Sequence, residues 1–307
     1  MRFDDLPAPT RPAQPPPAGN TGWEAWTPQR YELAESLRVY AEQTVFVDLL
    51  RGGLYRCTDR PGEPAERLLN LGVPLGAVAP LASSPGDWIA AAGPGIALVL
   101  RGRFLKWLAR PEEHATVPMR MNDAVCDPAG RFWATSMARS GEGAVGSLYR
   151  ADPDGGVQRM LCGLTVPNGP AFTACGSVMY LADSAAGTVL RYAVNPVTGA
   201  LGPHERFARL APTEGRPDGM TVDSENHLWV ALWGAGEVRR YAPDGGVAAR
   251  LHVPTPHVSS VAFGGGLMYV STARHRLERP DLLAGAVLAR PSPWSAPAAP
   301  AFGGHLP

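Results

Sequence analysis

Short runs in which apolar and polar residues alternate recur along the chain, in pairs joined by a glycine-bearing connection. VFVDLLRGGLYR, DWIAAAGPGIALV, RFWATSM with GSLYRAD, VMYLADSAAGTVLRYAV, HLWVALWGAGEVRRYAP and LMYVSTAR with GAVLAR are six variations on that phrase. A period of two places alternate side chains on opposite faces of a strand, and two such runs across a tight connection form a hairpin. One bulky residue anchors each copy: Phe46, Trp88, Trp133, Tyr180, Trp229 and Tyr269, spaced 40 to 49 residues apart. A strand-only repeat near 45 residues, with no 3.6-residue apolar period between copies, predicts a blade of four antiparallel strands. Six copies therefore predict an all-β fold, a six-bladed β-propeller.

Turn chemistry agrees. DPAG at 127–130, DPDGG at 152–156 and APDGG at 242–246 carry the Pro, Asp and Gly that tight turns require, so their aspartates are expected to be structural. Prolines crowd both ends. Residues 1–27 read as a proline-rich irregular segment and residues 28–307 as one propeller domain, with the residues just before Glu35 supplying the strand that closes the ring.

Composition narrows the partners. The 28 basic and 28 acidic residues cancel, leaving no excess positive field for nucleic acid or an anionic membrane. No apolar run is long enough to span a bilayer, and the start MRFDDLPAPTRP lacks the basic-then-apolar profile of a signal peptide, so a cytoplasmic protein is expected. Cys57, Cys126, Cys162 and Cys175 are too widely spaced for structural zinc and are expected to be buried free thiols.

The chemistry lies at a repeated address. Eleven or twelve residues before the anchor, where a blade's innermost strand begins, four copies place Glu35, Asn122, Asn168 and Asp218, while the other two place Ala77 and Val258. Any one such residue beside a Gly or Asp could be a mere turn former. Four at matched addresses would converge around one axis. Two carboxylates with amide carbonyls suit a hard divalent cation, Ca²⁺, Mg²⁺ or Mn²⁺, and without His or Cys fit Zn²⁺ less well. There is no G-x-S-x-G elbow, and His227 and His275 are expected in the core or at the rim.

The phrases RMNDAVCD, VPNGPAF and RPDGMTVD resemble the regucalcin and gluconolactonase family (senescence marker protein type), and the similarity runs from about residue 31 to 290. That resemblance implies one divalent metal ion held by Glu35, Asn168 and Asp218, and a small lactone substrate such as an aldonolactone held by Arg120, Asn122 and Asp123. It implies hydrolysis by a metal-activated water with Asp218 as general base. The sequence departs from the family at Ala34-Glu35-Ser36-Leu37, where G-E-x-P is usual, and at Arg139 and Ser140, where animal members carry an acidic pair. Two other functions share the scaffold: an enzyme of different specificity, phosphotriesterase-like or ring-opening and ring-closing in biosynthesis, and a non-catalytic metal-binding propeller.

Overall fold

The structure is a computed structural model that describes residues 22–41, 43–102 and 104–303; most of the proline-rich start, residues 1–21, lies outside the described residues. Six four-stranded antiparallel sheets follow one another. Their innermost strands are Ala34–Tyr40, Leu75–Leu81, Met119–Cys126, Pro167–Phe172, Arg216–Val222 and Val258–Gly264. These strands are buried almost throughout, whereas outermost strands such as Leu201–Arg209 and Val247–His252 are largely exposed.

All six anchors fall on the second strand of their blade, where their side chains pack between neighbouring blades. Two anchors are also pinned by turn aspartates. Trp133 Nε1 donates to Asp127 Oδ2 and Trp229 Nε1 donates to Asp223 Oδ2, both at 2.9 Å. The same two carboxylates accept from Arg131 and Arg240 respectively. Asp127 therefore has the structural role its turn suggested.

Ring closure differs from expectation in position. The closing strand is Glu24–Ala25, antiparallel to Val287–Pro291, about ten residues upstream of Glu35 rather than just before it. It forms the outermost strand of the last blade, and the chain must then cross three strand spacings, roughly 14 Å, to become the innermost strand of the first. Residues 26–33 make that crossing. At the other end, the C-terminal segment runs irregularly across the mouth where inner strands finish: Ser224 N donates to Ser295 O, Ala299 N to Val39 O and Gly303 N to Gly130 O. Phe302 is fully buried, and its main chain pairs with Pro80 and Ala82. This strap crosses one mouth of the channel, where residues 296–300 and the inner-strand ends line a cavity of about 380 Å³.

The cysteine expectation holds for Cys57 and Cys126, which are buried, and fails for Cys162 and Cys175, which are exposed. Cys162 lies on an outermost strand and Cys175 in a turn, where burial is not available. Among the described residues no helix is long and apolar enough to cross a membrane.

Candidate active site at the open mouth

Each innermost strand carries an irregularity in its pairing at or just after the matched address: between Glu35 and Arg38, Met121 and Ala124, Asn168 and Ala171, and Pro217 and Met220 in the polar blades. A bulge bends the strand and re-aims one side chain. Here it turns the polar residue towards the axis. The backbones are crowded at this level, since a Cβ on Gly76 would lie 2.0 Å from Asn122 O and one on Gly219 would lie 2.6 Å from Ser259 O. Glycine at these two positions lets the blades close around the site.

Glu35, Arg120, Asn122, Asn168 and Asp218 all line one cavity of about 180 Å³. Arg120 Nη1 donates to Asn122 Oδ1 (2.5 Å), Asn122 Nδ2 donates to Asn168 Oδ1 (2.8 Å), and Asn168 Nδ2 donates to Ser184 Oγ (2.8 Å). Ser184 in turn donates to the Pro217 carbonyl. An arginine can only donate, so it sets the orientation of both amides in this relay. Asn168 thereby keeps its oxygen on the cavity side with one lone pair to spare.

Asp123, expected to contact substrate, does not line the cavity. It is 2% exposed and its carboxylate accepts both from Arg38 Nη2 (3.0 and 3.2 Å) and from the Ala124 amide. Arg38 belongs to the first blade and Asp123 to the third, so this buried ion pair ties two blades together across the channel without lining the cavity.

Burial sets the electrostatics. Desolvation pushes the Glu35 carboxyl up to about 8, against the pull of Arg120 and with help from Asp123. Asp218 is driven well above the usual carboxylate range, first by burial and then by Glu35 and Asp123. Burial also lowers Arg120. Two carboxyls that oppose each other's ionisation in a dry site, beside an amide oxygen held in place, form a donor set that a divalent cation satisfies. A second acidic group, Asp223 with Glu225 and His227, has its ligand atoms within 4.8 Å of one another. Its Asp223 is already engaged by Trp229, Arg240 and two backbone amides, so that cluster reads as structural.

Two further addresses complete the wall, and apart from Arg120, Arg139 and His275 their residues were not singled out in the sequence. Leu33, Arg120, Val166 and Arg216 each precede a matched address by two, the same face of the strand. Leu50, Arg139, Ser184, Trp233, His275 and Arg276 follow their anchors by four to seven residues. In an antiparallel blade the second strand ends at the mouth where the first begins, so this second address could have been read from the sequence too. His275 is indeed a rim residue. His257 stacks on Trp233 with ring centroids 4.0 Å apart, and burial lowers it to about 4, so it stays neutral.

A six-bladed propeller whose open mouth concentrates buried carboxylates and oriented amides has a site built for a small polar ligand. Residues 33–274 match the SMP-30/Gluconolactonase/LRE-like region, and the chain belongs to that family. Among relatives, the pentonolactonase of Haloferax volcanii is 45% identical over 159 residues, 51% of this chain and 54% of its own length. The 6-deoxy-6-sulfogluconolactonase of Pseudomonas putida is 31% identical over 250 residues, 78% of this chain and 83% of its own. The calcium-binding protein regucalcin from Agrobacterium tumefaciens has a similar structure, with a TM-score of 0.81, 25% identity and coverage of 91% of this chain and 96% of that one. The match to the pentonolactonase thus spans about half of either protein.

Proposed function

We propose that this protein hydrolyses a small sugar lactone with the help of one divalent cation held by Glu35, Asn168 and Asp218. The observation that carries the reading is the convergence of two buried, mutually opposing carboxyls and an oriented amide oxygen in one small cavity. Membership of a family whose relatives include named lactonases supports the substrate class.

When bound, the cation supplies Lewis-acid polarisation of the lactone carbonyl. The protein's own groups do the rest. Asp218 holds the attacking water and accepts its proton, a role in which positioning counts for more than basicity once a cation has lowered the pKa of the carboxyl. Arg120 and Asn122 face the same space: Arg120 donates to ring oxygens, with its charge near the developing oxyanion, while Asn122, whose two amide hydrogens go to Pro167 O and Asn168 Oδ1, accepts from a ring hydroxyl through Oδ1. Asp123 serves from behind by fixing Arg38 and the strand that carries Asn122. The free thiols are compatible with a reducing cytoplasm.

Calorimetric titration of chelated protein with Ca²⁺, Mg²⁺, Mn²⁺ and Zn²⁺ tests the site directly. One equivalent should bind, with affinity at least tenfold weaker in Glu35→Gln, Asn168→Ala and Asp218→Asn. Unchanged affinity in all three variants would place the cation elsewhere.

A further inference from the structure

Four arginines, Arg120, Arg139, Arg216 and Arg276, line the small cavity, and Glu35 and Asp218 are the only carboxylates among its described lining residues. Resting on the proposed cation site, the count is simple: two carboxylate charges answer the two charges of the cation. Four guanidinium groups line the same mouth. Arg120 serves the ring through its bond to Asn122, but Arg139 and Arg216 flank the entrance from the third and fifth blades and Arg276 from the sixth.

Arg276 adds an independent sign. Its backbone sits in the left-handed region, with φ of 63°. A non-glycine residue there carries a conformational cost that glycine would avoid, and such costs gather where a side chain is needed in one place. The cavity, of about 180 Å³, has room for one small ring with a short substituent.

From these features we infer that the substrate is an anionic lactone, one that bears a carboxylate, sulfonate or phosphate ester on the carbon chain away from the ring carbonyl. Arg139, Arg216 and Arg276 hold that anion while the carbonyl faces Glu35, Asn168 and Asp218. Arginine's planar fork matches all three oxyanions, and a divalent centre at one end with an arginine cluster at the other fixes the direction in which the ring enters.

The test compares matched lactones on cation-loaded, full-length protein: glucono-1,5-lactone against its 6-phosphate, and glucono-1,4-lactone against glucaro-1,4-lactone. Wild-type kcat/KM should favour the anionic member of a pair by about ten- to a hundredfold at low salt, the range of a charge-assisted contact, and the preference should shrink as salt rises. Arg139→Gln and Arg276→Gly should each reduce that preference about tenfold, and Arg276→Gly should keep or raise the Tm because glycine relaxes the left-handed backbone. Equal turnover of charged and neutral lactones, or variants that leave the ratio unchanged, would overturn the inference while leaving lactone hydrolysis intact. If no lactone is hydrolysed, the proposed activity fails, and calorimetry still decides on the anion: 6-phosphogluconate binding at least tenfold tighter than gluconate supports the arginine site, and equal binding refutes it.

Discussion

Asn122 Nδ2 lies 2.8 Å from Asn168 Oδ1, so the amide of one blade orients the amide of the next. Because Arg120 fixes Asn122 and Ser184 accepts from Asn168, four residues on two blades set the direction in which a single oxygen points. Ser184→Ala removes the acceptor for Asn168 Nδ2 and lets that amide turn. It should weaken cation binding about three- to tenfold with little change in Tm, as read by calorimetry and thermal melts. Arg120→Ala should chiefly raise KM, with a smaller loss in kcat, because the guanidinium both binds the ring and anchors the relay.

Metal-free protein should show a pH-dependent penalty at the same site. Glu35 is raised from an ordinary 4.5 to about 8 in the folded state. Below about 4.5 it is protonated whether folded or not and has no effect on stability. Between 4.5 and 8 only the unfolded chain readily ionises, so folding loses stability as pH rises, and the loss levels off above 8. The gap between Glu35→Gln and wild-type stability in chelator should therefore widen from pH 4.5 to 8, by urea denaturation, and added cation should close it. A constant gap would mean that Glu35 is not held in this environment.

Asp218→Asn separates chemistry from folding. Removing the proton acceptor should cost at least a hundred- to ten-thousandfold in kcat, the usual range for acid-base catalysis, whereas the metal-free variant should melt at or above the wild-type temperature near pH 8 because a disfavoured buried charge has gone. Full activity in this variant would remove Asp218 from the mechanism.

Much of this was legible in the sequence because a propeller repeats its geometry. The anchors Phe46 to Tyr269 gave the blade count, and Glu35, Asn122, Asn168 and Asp218 stood out because Ala77 and Val258 occupy the same address in the remaining blades. What stayed hidden depends on distances across the ring. Nothing local in RMNDAVCD tells that Asp123 pairs with Arg38 from another blade while its neighbour Asn122 faces the cavity; the bulge between Met121 and Ala124 makes that division. Arg139 was marked by its departure from the family pattern, but Arg216 and Arg276 carried no signal of their own, because only the ring brings the start of one strand and the end of another to one mouth.

The exposed thiols also give a measurable contrast. Cys175 is lowered to about 7 by hydrogen bonds from Ser177 and Thr173, while burial raises Cys57 to about 12. Iodoacetamide at pH 7.5 should label Cys175 well before Cys57, as seen by peptide mass spectrometry, and labelling should leave hydrolysis unchanged because Cys175 lies outside the cavity.

The most direct test of the central claim is hydrolysis of five- and six-membered aldonolactones, followed with a pH indicator, on chelated protein re-supplied separately with Ca²⁺, Mg²⁺, Mn²⁺ and Zn²⁺. The account predicts turnover that vanishes with chelation and returns with a divalent cation, and that is lost in Asp218→Asn. Cation binding at the open mouth with no turnover of any lactone, neutral or anionic, would contradict it and leave a metal-binding propeller in its place.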